Sequence, residues 1–336
     1  MKKVGINGFG RIGRTIFRQF LTQKTEGIDI VAINNPLRAN EKIEDYLHLL
    51  KYDSVHGVLK DFSFKVVSGG FECNGKLIKF FTELDPSNID WSSVKVDVVV
   101  DSTGVFKDKK SLGKHIKGSV KKVIMSAPGD DLDLTVVMGV NDHLYETTKH
   151  HIVSNASCTT NCLAPLAKVI DDNFSIVKGI VTTIHSYTAD QRLVDANHED
   201  LRRARAANLS MIPTKTGAAK AVGLVMPHLK GKLDGFAVRV PTPNVSLVDA
   251  TFEIKKDASK EDINKVLEEA ANGKLKGILK LSKEELVSVD FNGTTESSII
   301  DSKYTMVLEK NMIKVLSWYD NETGYSSRVL DLIKIL

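Results

Sequence analysis

The chain has 336 residues, 42% of them hydrophobic and 26% charged, with a net charge of +4 at pH 7. That length allows two domains with separate cores, and no apolar run approaches the roughly 18 residues of a membrane span. The mild positive balance suits small anionic ligands, and the absence of a basic block argues against nucleic acid as a partner.

The chain opens on a short apolar strand, residues 3–6, with no room before it for a signal peptide. It runs into Asn7-Gly8-Phe9-Gly10-Arg11-Ile12-Gly13-Arg14, and a helix is predicted to about Leu21 with Ile12, Ile16, Phe17 and Phe20 on one face. Gly8, Gly10 and Gly13 thus satisfy G-x-G-x-x-G between a strand and a helix. In that context the glycines permit a tight turn, the approach of a pyrophosphate and close helix–strand packing. Glycine-rich turns are common by themselves; the flanking elements are what point to a dinucleotide. A second strand, residues 28–33, ends at Asn34-Asn35-Pro36, where such units usually set an acid against the adenosine 2′-hydroxyl. Here Asn35 stands there, with Arg38 close behind. An amide beside a guanidinium could accept a 2′-phosphate; an ordinary Asn-Pro turn with a solvated arginine fits the same residues.

Between residues 61 and 81, turn residues separate the alternating runs 62–66 and 77–80, which predicts an antiparallel hairpin inserted in the parallel framework. Three further apolar strands follow over residues 96–100, 123–125 and 134–138. They end at Asp101-Ser102-Thr103-Gly104, at Ser126-Ala127-Pro128-Gly129 and at Gly139. Small polar residues after buried strands belong at the carboxyl edge of a doubly wound sheet, where ligands bind.

The run Ser154-Asn155-Ala156-Ser157-Cys158-Thr159-Thr160-Asn161-Cys162 places a cysteine where a helix should begin. Ser157, Thr159 and Thr160 are capping types, and apolar periodicity follows through Leu166 to Ile170. The first turn of a helix offers unpaired N–H groups and the positive end of the dipole, both of which favour a thiolate. Buried packing is the other reading of such a cysteine. Cys73, Cys158 and Cys162 are an odd, sparse set with no zinc spacing, which implies a reducing cytoplasm, no disulfide framework and no metal.

Beyond this helix the pattern changes to longer alternating strands over residues 180–188, 236–240, 246–254, 304–308 and 313–318, with an amphipathic helix at about 260–271. That describes a separate α+β domain with a largely antiparallel sheet. The expected organisation is a Rossmann domain over residues 1–155, a catalytic domain over 156–320, and a short amphipathic helix over 321–336 that returns to the first domain. His185 lies in a strand among hydroxyl residues, either as a structural histidine or as the base that thiolate chemistry needs. Thr216 and Gly217, ahead of an apolar helix, could offer N–H and O–H donors to an oxyanion. Arg239 sits in an apolar strand, where a bound phosphate or a structural carboxylate would account for it. The run Arg202-Arg203-Ala204-Arg205 reads as a solvated face from which no member stands out.

Together these motifs closely resemble the phosphorylating glyceraldehyde-3-phosphate dehydrogenases over essentially the whole chain. The residues from Asn7 to Arg14 resemble that family's N-terminal signature, and those from Ser154 to Pro165 its active-site signature. His185-Ser186-Tyr187-Thr188, Pro213 to Lys220, Arg239 to Pro243 and Trp318-Tyr319-Asp320-Asn321-Glu322 match as well. The resemblance implies a cytoplasmic homotetramer that oxidises glyceraldehyde 3-phosphate with inorganic phosphate and NAD or NADP. By it, Cys158 is the nucleophile and His185 the base. Thr188 and Arg239 hold the substrate phosphate, and Ser157, Thr159, Arg203, Thr216 and Gly217 contact the attacking phosphate and substrate. Arg11, Ile12, Ser126 and Asn321 contact the cofactor, beside Gly8, Gly10, Gly13, Asn35, Arg38, Ser102, Thr103 and Gly104.

The chain departs from that pattern in places. Asn35 replaces the usual aspartate of NAD-using members, and Asp195-Ala196-Asn197-His198 is closer to NADP-accepting photosynthetic forms. Leu84 stands where many bacterial members carry a basic residue, and the segment from Pro36 to Tyr46 is a few residues longer than usual. Asn35, Arg38, Ala196 and Asn197 therefore raise the expectation of dual cofactor use or a preference for NADP. Two alternatives stay open: an erythrose-4-phosphate dehydrogenase of the same superfamily, and a non-catalytic nucleotide-binding or adhesion protein on the same scaffold.

Overall fold

A computed structural model describes residues 1–23 and 25–336. The chain divides into two units. The first comprises Met1–Val136, Leu144–Ala156 and Ser326–Leu336; the second comprises Val137–His143 and Ser157–Tyr325.

The first unit is built on a nine-stranded sheet. Its strands are β1 (Lys2–Asn7) and β2 (Ile28–Asn34), then β5 (Phe64–Val67), β6 (Gly70–Cys73) and β7 (Lys76–Phe81). They continue with β8 (Val98–Asp101), β9 (Lys122–Met125), β10 (Leu134–Thr135) and β11 (Ile152–Ser154). A separate two-stranded ribbon joins β3 (Tyr52–Asp53) to β4 (Gly57–Val58). The sheet order is β10-β11-β9-β8-β1-β2-β7-β6-β5, parallel from β10 to β7. Strand β1 lies at its centre because Val4 and Ile6 are fully buried. The order reverses between β1 and β8, so the crevice at their carboxyl ends is the switch point where such sheets bind ligands.

The predicted hairpin is corrected by the register. Strand β6, unforeseen, stands between the two expected runs and pairs antiparallel with both β5 and β7, while β7 also extends the parallel sheet beside β2. The strand expected over residues 134–138 is only Leu134–Thr135, because Val137 and Gly139 are caught by the side chains of Asn141 and Asp142 in a turn. Three helices accompany the sheet: α1 (Arg11–Thr22), α2 (Ile43–Lys51) and α3 (Lys109–Gly113).

The second unit holds an eight-stranded mixed sheet in the order β13-β14-β12-β15-β19-β17-β16, with β18 on β19. Its strands are β12 (Ile176–Ser186), β13 (Ile212–Lys215), β14 (Leu233–Val240) and β15 (Ser246–Ile254). The others are β16 (Leu279–Ser282), β17 (Ser298–Asp301), β18 (Met306–Leu308) and β19 (Met312–Tyr319). Only the β12–β14 and β16–β17 pairs are parallel, so the sheet is largely antiparallel. Helices α4 (Cys158–Phe174), α5 (Ala218–Val225) and α6 (Lys260–Asn272) pack on it, and α4 buries Cys162, Leu163, Leu166 and Ile170 completely.

The last helix is α7 (Thr323–Ile335), and its residues from Ser326 belong to the first unit. It is buried around most of its circumference, with Lys334 and Ile335 exposed. Within the first unit, Lys2 Nζ donates to the carbonyls of Ile333 (3.0 Å) and Lys334 (2.7 Å), which ties the helix end to β1.

Candidate active site

The glycine loop leaves β1 and enters α1 under steric constraint. Gly8 has φ of +91°, and a Cβ there would lie 2.7 Å from the backbone nitrogen of Thr103. A Cβ on Gly13 would overlap the carbonyl oxygen of Gly8. A Cβ on Gly10 would meet no atom within 4 Å, so the loop is open at the residue that precedes the helix. No side chain caps α1 at Gly10, and the start of such a helix is a favourable place for an anion. The Arg11 side chain is otherwise engaged: its guanidinium holds both carboxylate oxygens of Asp53, at 2.7 and 3.1 Å. Burial would raise Asp53, but this guanidinium and the N–H groups of His56 and Val55 bring it down to about 2.

The neighbouring loop is fixed from beneath. Asn7 pairs with Asp101 across β1 and β8, and its Nδ2 donates to Asp101 Oδ2 at 2.7 Å. Asp101 Oδ1 receives the Thr103 hydroxyl at 2.7 Å, and Ser102 Oγ donates to the Gly8 carbonyl at 2.7 Å. Gly104 follows at φ of +70°, and the Ser126 N–H donates to the Asp101 carbonyl at 2.9 Å. A cavity of 470 Å³ opens here, with Gly8, Gly10, Asn35, Arg38, Ser102 and Thr103 in its wall. Open backbone at Gly10, a helix start without a side-chain cap and a cavity at the switch point fit a dinucleotide.

In the second unit, Ser157 is the N-cap of α4, its Oγ accepting from the Thr160 N–H at 3.0 Å, so Cys158 is the first helical residue. His185 approaches from the end of β12, with Nε2 3.5 Å from the Cys158 Sγ. The sulfur is half-buried, and burial raises the thiol above its ordinary range; the charge of Arg239 and the hydroxyl and N–H of Thr159 pull it back. The helix terminus thus works against burial rather than alone. His185 is buried, and burial followed by the Arg239 charge pushes its pKa down to about 3. It is therefore a neutral imidazole at neutral pH, able to take a proton.

The parallel register of β12 and β14 sets His185 beside Arg239. Arg239 Nη1 lies 2.7 Å from His185 Nδ1 and donates to the Ser186 carbonyl at 3.0 Å. Among the described residues Arg239 forms no ion pair, and its buried Nε finds no acceptor. No carboxylate among the described residues thus accounts for Arg239, whose buried Nε is left without an acceptor.

The other predicted residues separate into two groups. Thr188 lies just past β12, its N–H on Gln191 Oε1 at 3.3 Å. Arg203 differs from its neighbour Arg205, which pairs with Asp195 on the open surface, in being largely covered and held by Asp190 at 2.7 Å and the Thr214 hydroxyl at 2.9 Å. It lines a 1290 Å³ cavity with Thr214, Thr216, Gly217 and Lys220. Gly217 is the N-cap of α5, which starts at Ala218, earlier than the sequence placed it. Asn321 Oδ1 accepts from the hydroxyls of Ser186 and Ser246, both at 2.8 Å, which presents its amide nitrogen as donor.

One residue of this site had no role in the sequence reading. Tyr319 is buried, its hydroxyl bonded to Thr159 Oγ1 (2.8 Å) and Thr183 Oγ1 (2.9 Å). Its ring meets His185 edge-on at 5.9 Å between centroids. Burial, then the nearby Cys158, raises its phenol far above the ordinary range, so it stays a neutral strut. A tyrosine at the end of an alternating strand carries no sequence signal beyond the motif around it.

A dinucleotide-binding sheet joined in one chain to a cysteine–histidine pair defines a nicotinamide-dependent oxidoreductase working through a sulfur nucleophile. Residues 2–109 match the model of the glyceraldehyde 3-phosphate dehydrogenase NAD binding domain, and residues 157–321 that of the C-terminal domain of the same enzymes. Among curated relatives, glyceraldehyde-3-phosphate dehydrogenase 1 of Bacillus cereus is 57% identical over 332 residues, covering 99% of this chain and 97% of its own. The Geobacillus stearothermophilus enzyme is 56% identical over 330 residues (98% and 96%), and glyceraldehyde-3-phosphate dehydrogenase 2 of Trichormus variabilis 51% over 336 (100% and 98%). The chain belongs to the glyceraldehyde-3-phosphate dehydrogenase family.

Proposed function

We propose that the two units divide the work of one reaction, with the cofactor on the first and substrate chemistry at Cys158 on the second. The enzyme converts glyceraldehyde 3-phosphate, NAD(P)+ and inorganic phosphate to 1,3-bisphosphoglycerate and NAD(P)H. The observation that carries the residue assignment is the 3.5 Å approach of His185 Nε2 to Cys158 Sγ beside an arginine with a buried, unbonded Nε.

Cys158 gives its proton to the neutral His185 as sulfur adds to the aldehyde carbon, and His185 passes that proton to the carbonyl oxygen, which gives the thiohemiacetal and leaves the imidazole neutral again. The bound cofactor supplies the hydride acceptor. His185 then removes the hemiacetal proton, and the carbonyl of the product remains bonded to sulfur as a thioester. Inorganic phosphate attacks that thioester and releases the Cys158 thiolate. Thr188 and Arg239 take the substrate phosphate, whose charge offsets that of Arg239 and so makes His185 a stronger base at the moment it is used. Ser157, Thr159, Arg203, Thr216 and Gly217 receive the attacking phosphate. When the cofactor is bound, Arg11 and Ile12 would hold its pyrophosphate together with Ser126 and the 102–104 loop, and Asn321 would hold the nicotinamide amide.

A homotetramer accords with the surface of the second unit. Ile180 and Phe236, on one face of β12 and β14, are 67% and 47% exposed. Leu201, Leu209 and Met211 are still more open, and such apolar surface is normally covered by another chain. No helix among the described residues is long and apolar enough to cross a membrane. Three free cysteines fit a reducing cytoplasm.

Initial rates of NAD(P)H formation from glyceraldehyde 3-phosphate, with and without inorganic phosphate, test the whole scheme. A rate that needs phosphate supports phosphorolysis. A phosphate-independent rate with erythrose 4-phosphate would transfer the assignment to the hydrolytic relative.

A further inference from the structure

The 470 Å³ cavity of the first unit contains an acid that the end of β2 does not supply. Asn35 follows that strand directly, and its Oδ1 accepts from the Phe9 N–H of the glycine loop at 2.8 Å. Beyond it the chain doubles back: the Glu41 N–H donates to the Arg38 carbonyl at 2.9 Å, and the Arg38 N–H donates to Glu41 Oε2 at 3.1 Å. Tyr46, in the first turns of α2, donates its hydroxyl to the same Oε2 at 2.7 Å and also meets the Asn35 side chain. All four residues line the cavity with Gly8, Gly10 and Leu84.

Two donors on one oxygen fix the Glu41 carboxylate in place. The bond from the Arg38 N–H, then that from Tyr46, holds its carboxyl below the usual range, so it is charged at neutral pH. The Arg38 side chain, by contrast, is 90% exposed, and its Nε lies 3.9 Å from Glu41 Oε1. The cation a 2′-phosphate would need therefore faces outward and is paired to a carboxylate. The amide and guanidinium that raised the expectation of NADP are present, but they share this wall with the fixed negative charge of Glu41.

We propose that Glu41, carried on the segment between β2 and α2, selects the adenosine ribose of the cofactor, taking over the task of an acid at position 35. Its carboxylate accepts a hydrogen bond from a 2′-hydroxyl and repels a 2′-phosphate, so the enzyme prefers NAD+ to NADP+. The proposal rests on the reading that this cavity receives the adenosine half of a nicotinamide dinucleotide.

Calorimetric titration of NAD+ and NADP+ into the protein, with kcat/KM for each in parallel, provides the test. The wild type should bind NAD+ the more tightly. Glu41→Gln should tighten NADP+ about tenfold, ~1.4 kcal/mol, and leave NAD+ within a few-fold. Arg38→Ala added to Glu41→Gln should remove the gain, because the released guanidinium is what the phosphate then uses. Tyr46→Phe, which keeps the charge but loosens it, should shift the ratio in the same direction by less. Equal affinities in the wild type, or an unchanged ratio in a Glu41→Gln protein with native circular dichroism, would overturn the role of Glu41. If neither dinucleotide binds, the cofactor reading of the cavity fails first, and with it this proposal.

Discussion

The Nε2 of His185 stands 3.5 Å from the Sγ of Cys158, across a gap of 27 residues in the chain. The cysteine is delivered by the start of α4 and the histidine by the end of β12, so two rigid elements rather than loops define the distance. A contact built this way is preorganised, and its loss should appear in chemistry more than in folding.

Cys158→Ser should abolish measurable turnover, since an alcohol is far less ionised than a thiol near neutral pH. Cys162→Ser should keep activity. Cys162 is buried against Ser298 and Ser317, and burial pushes its thiol up to about 12. Mass spectrometry after brief alkylation should find one label per chain, on Cys158. Labelling of Cys162 with activity retained would contradict this.

His185→Asn should lower kcat by about 10²–10⁴-fold, the usual contribution of a positioned proton carrier. Steady-state kinetics at saturating substrate measures it, and a change under threefold would reduce the histidine to a packing role. Arg239→Leu should raise KM for glyceraldehyde 3-phosphate and also move His185 upward, because the Arg239 charge helps to depress it. The pH dependence of Cys158 alkylation in that variant should shift accordingly.

The same depression predicts an acid sensitivity. In the unfolded chain a histidine takes its proton near pH 6.5, whereas folded His185 takes it only near 3. Between those values the unfolded state binds more protons, so stability is complete above about pH 6.5 and falls as pH drops toward 3. The contribution is on the order of 3–5 kcal/mol. Denaturant melts of wild type and His185→Asn at pH 7 and pH 5 should show a smaller loss in the variant. Parallel losses would sink the assignment.

Tyr319→Phe should leave two buried threonine hydroxyls without their phenolic partner and cost about 1–3 kcal/mol. Because the ring that meets His185 is retained, kcat should fall only modestly. A thermal melt beside a kcat measurement separates the two effects.

Much of this protein was legible in one dimension. The strand–glycine–helix run at residues 4–13 specifies its own geometry, since Gly8 and Gly13 are the positions where a Cβ would strike backbone. Ser157 announced the start of α4 because capping is a local bond to a residue three positions on. Strand β6 escaped notice because Gly70-Phe71-Glu72-Cys73 is short and its identity as a strand comes from pairing on both sides. How far α7 is covered is likewise outside the reach of its own sequence, because it depends on distant segments.

The site divides along the same line. Sequence alone determined that Cys158 begins a helix, that a glycine loop follows the first strand, and that the chemistry needs a base and an anion-binding cation. Tertiary structure alone decided that Arg239 has no carboxylate partner among the described residues, that Arg203 is the member of its basic run held by Asp190, and that Tyr319 packs edge-on against His185. It also decided that Glu41, unremarkable in sequence, stands beside Asn35. Capping, turns and helix starts are settled by bonds between near neighbours, whereas the charge a side chain feels depends on what the fold brings to it from far along the chain.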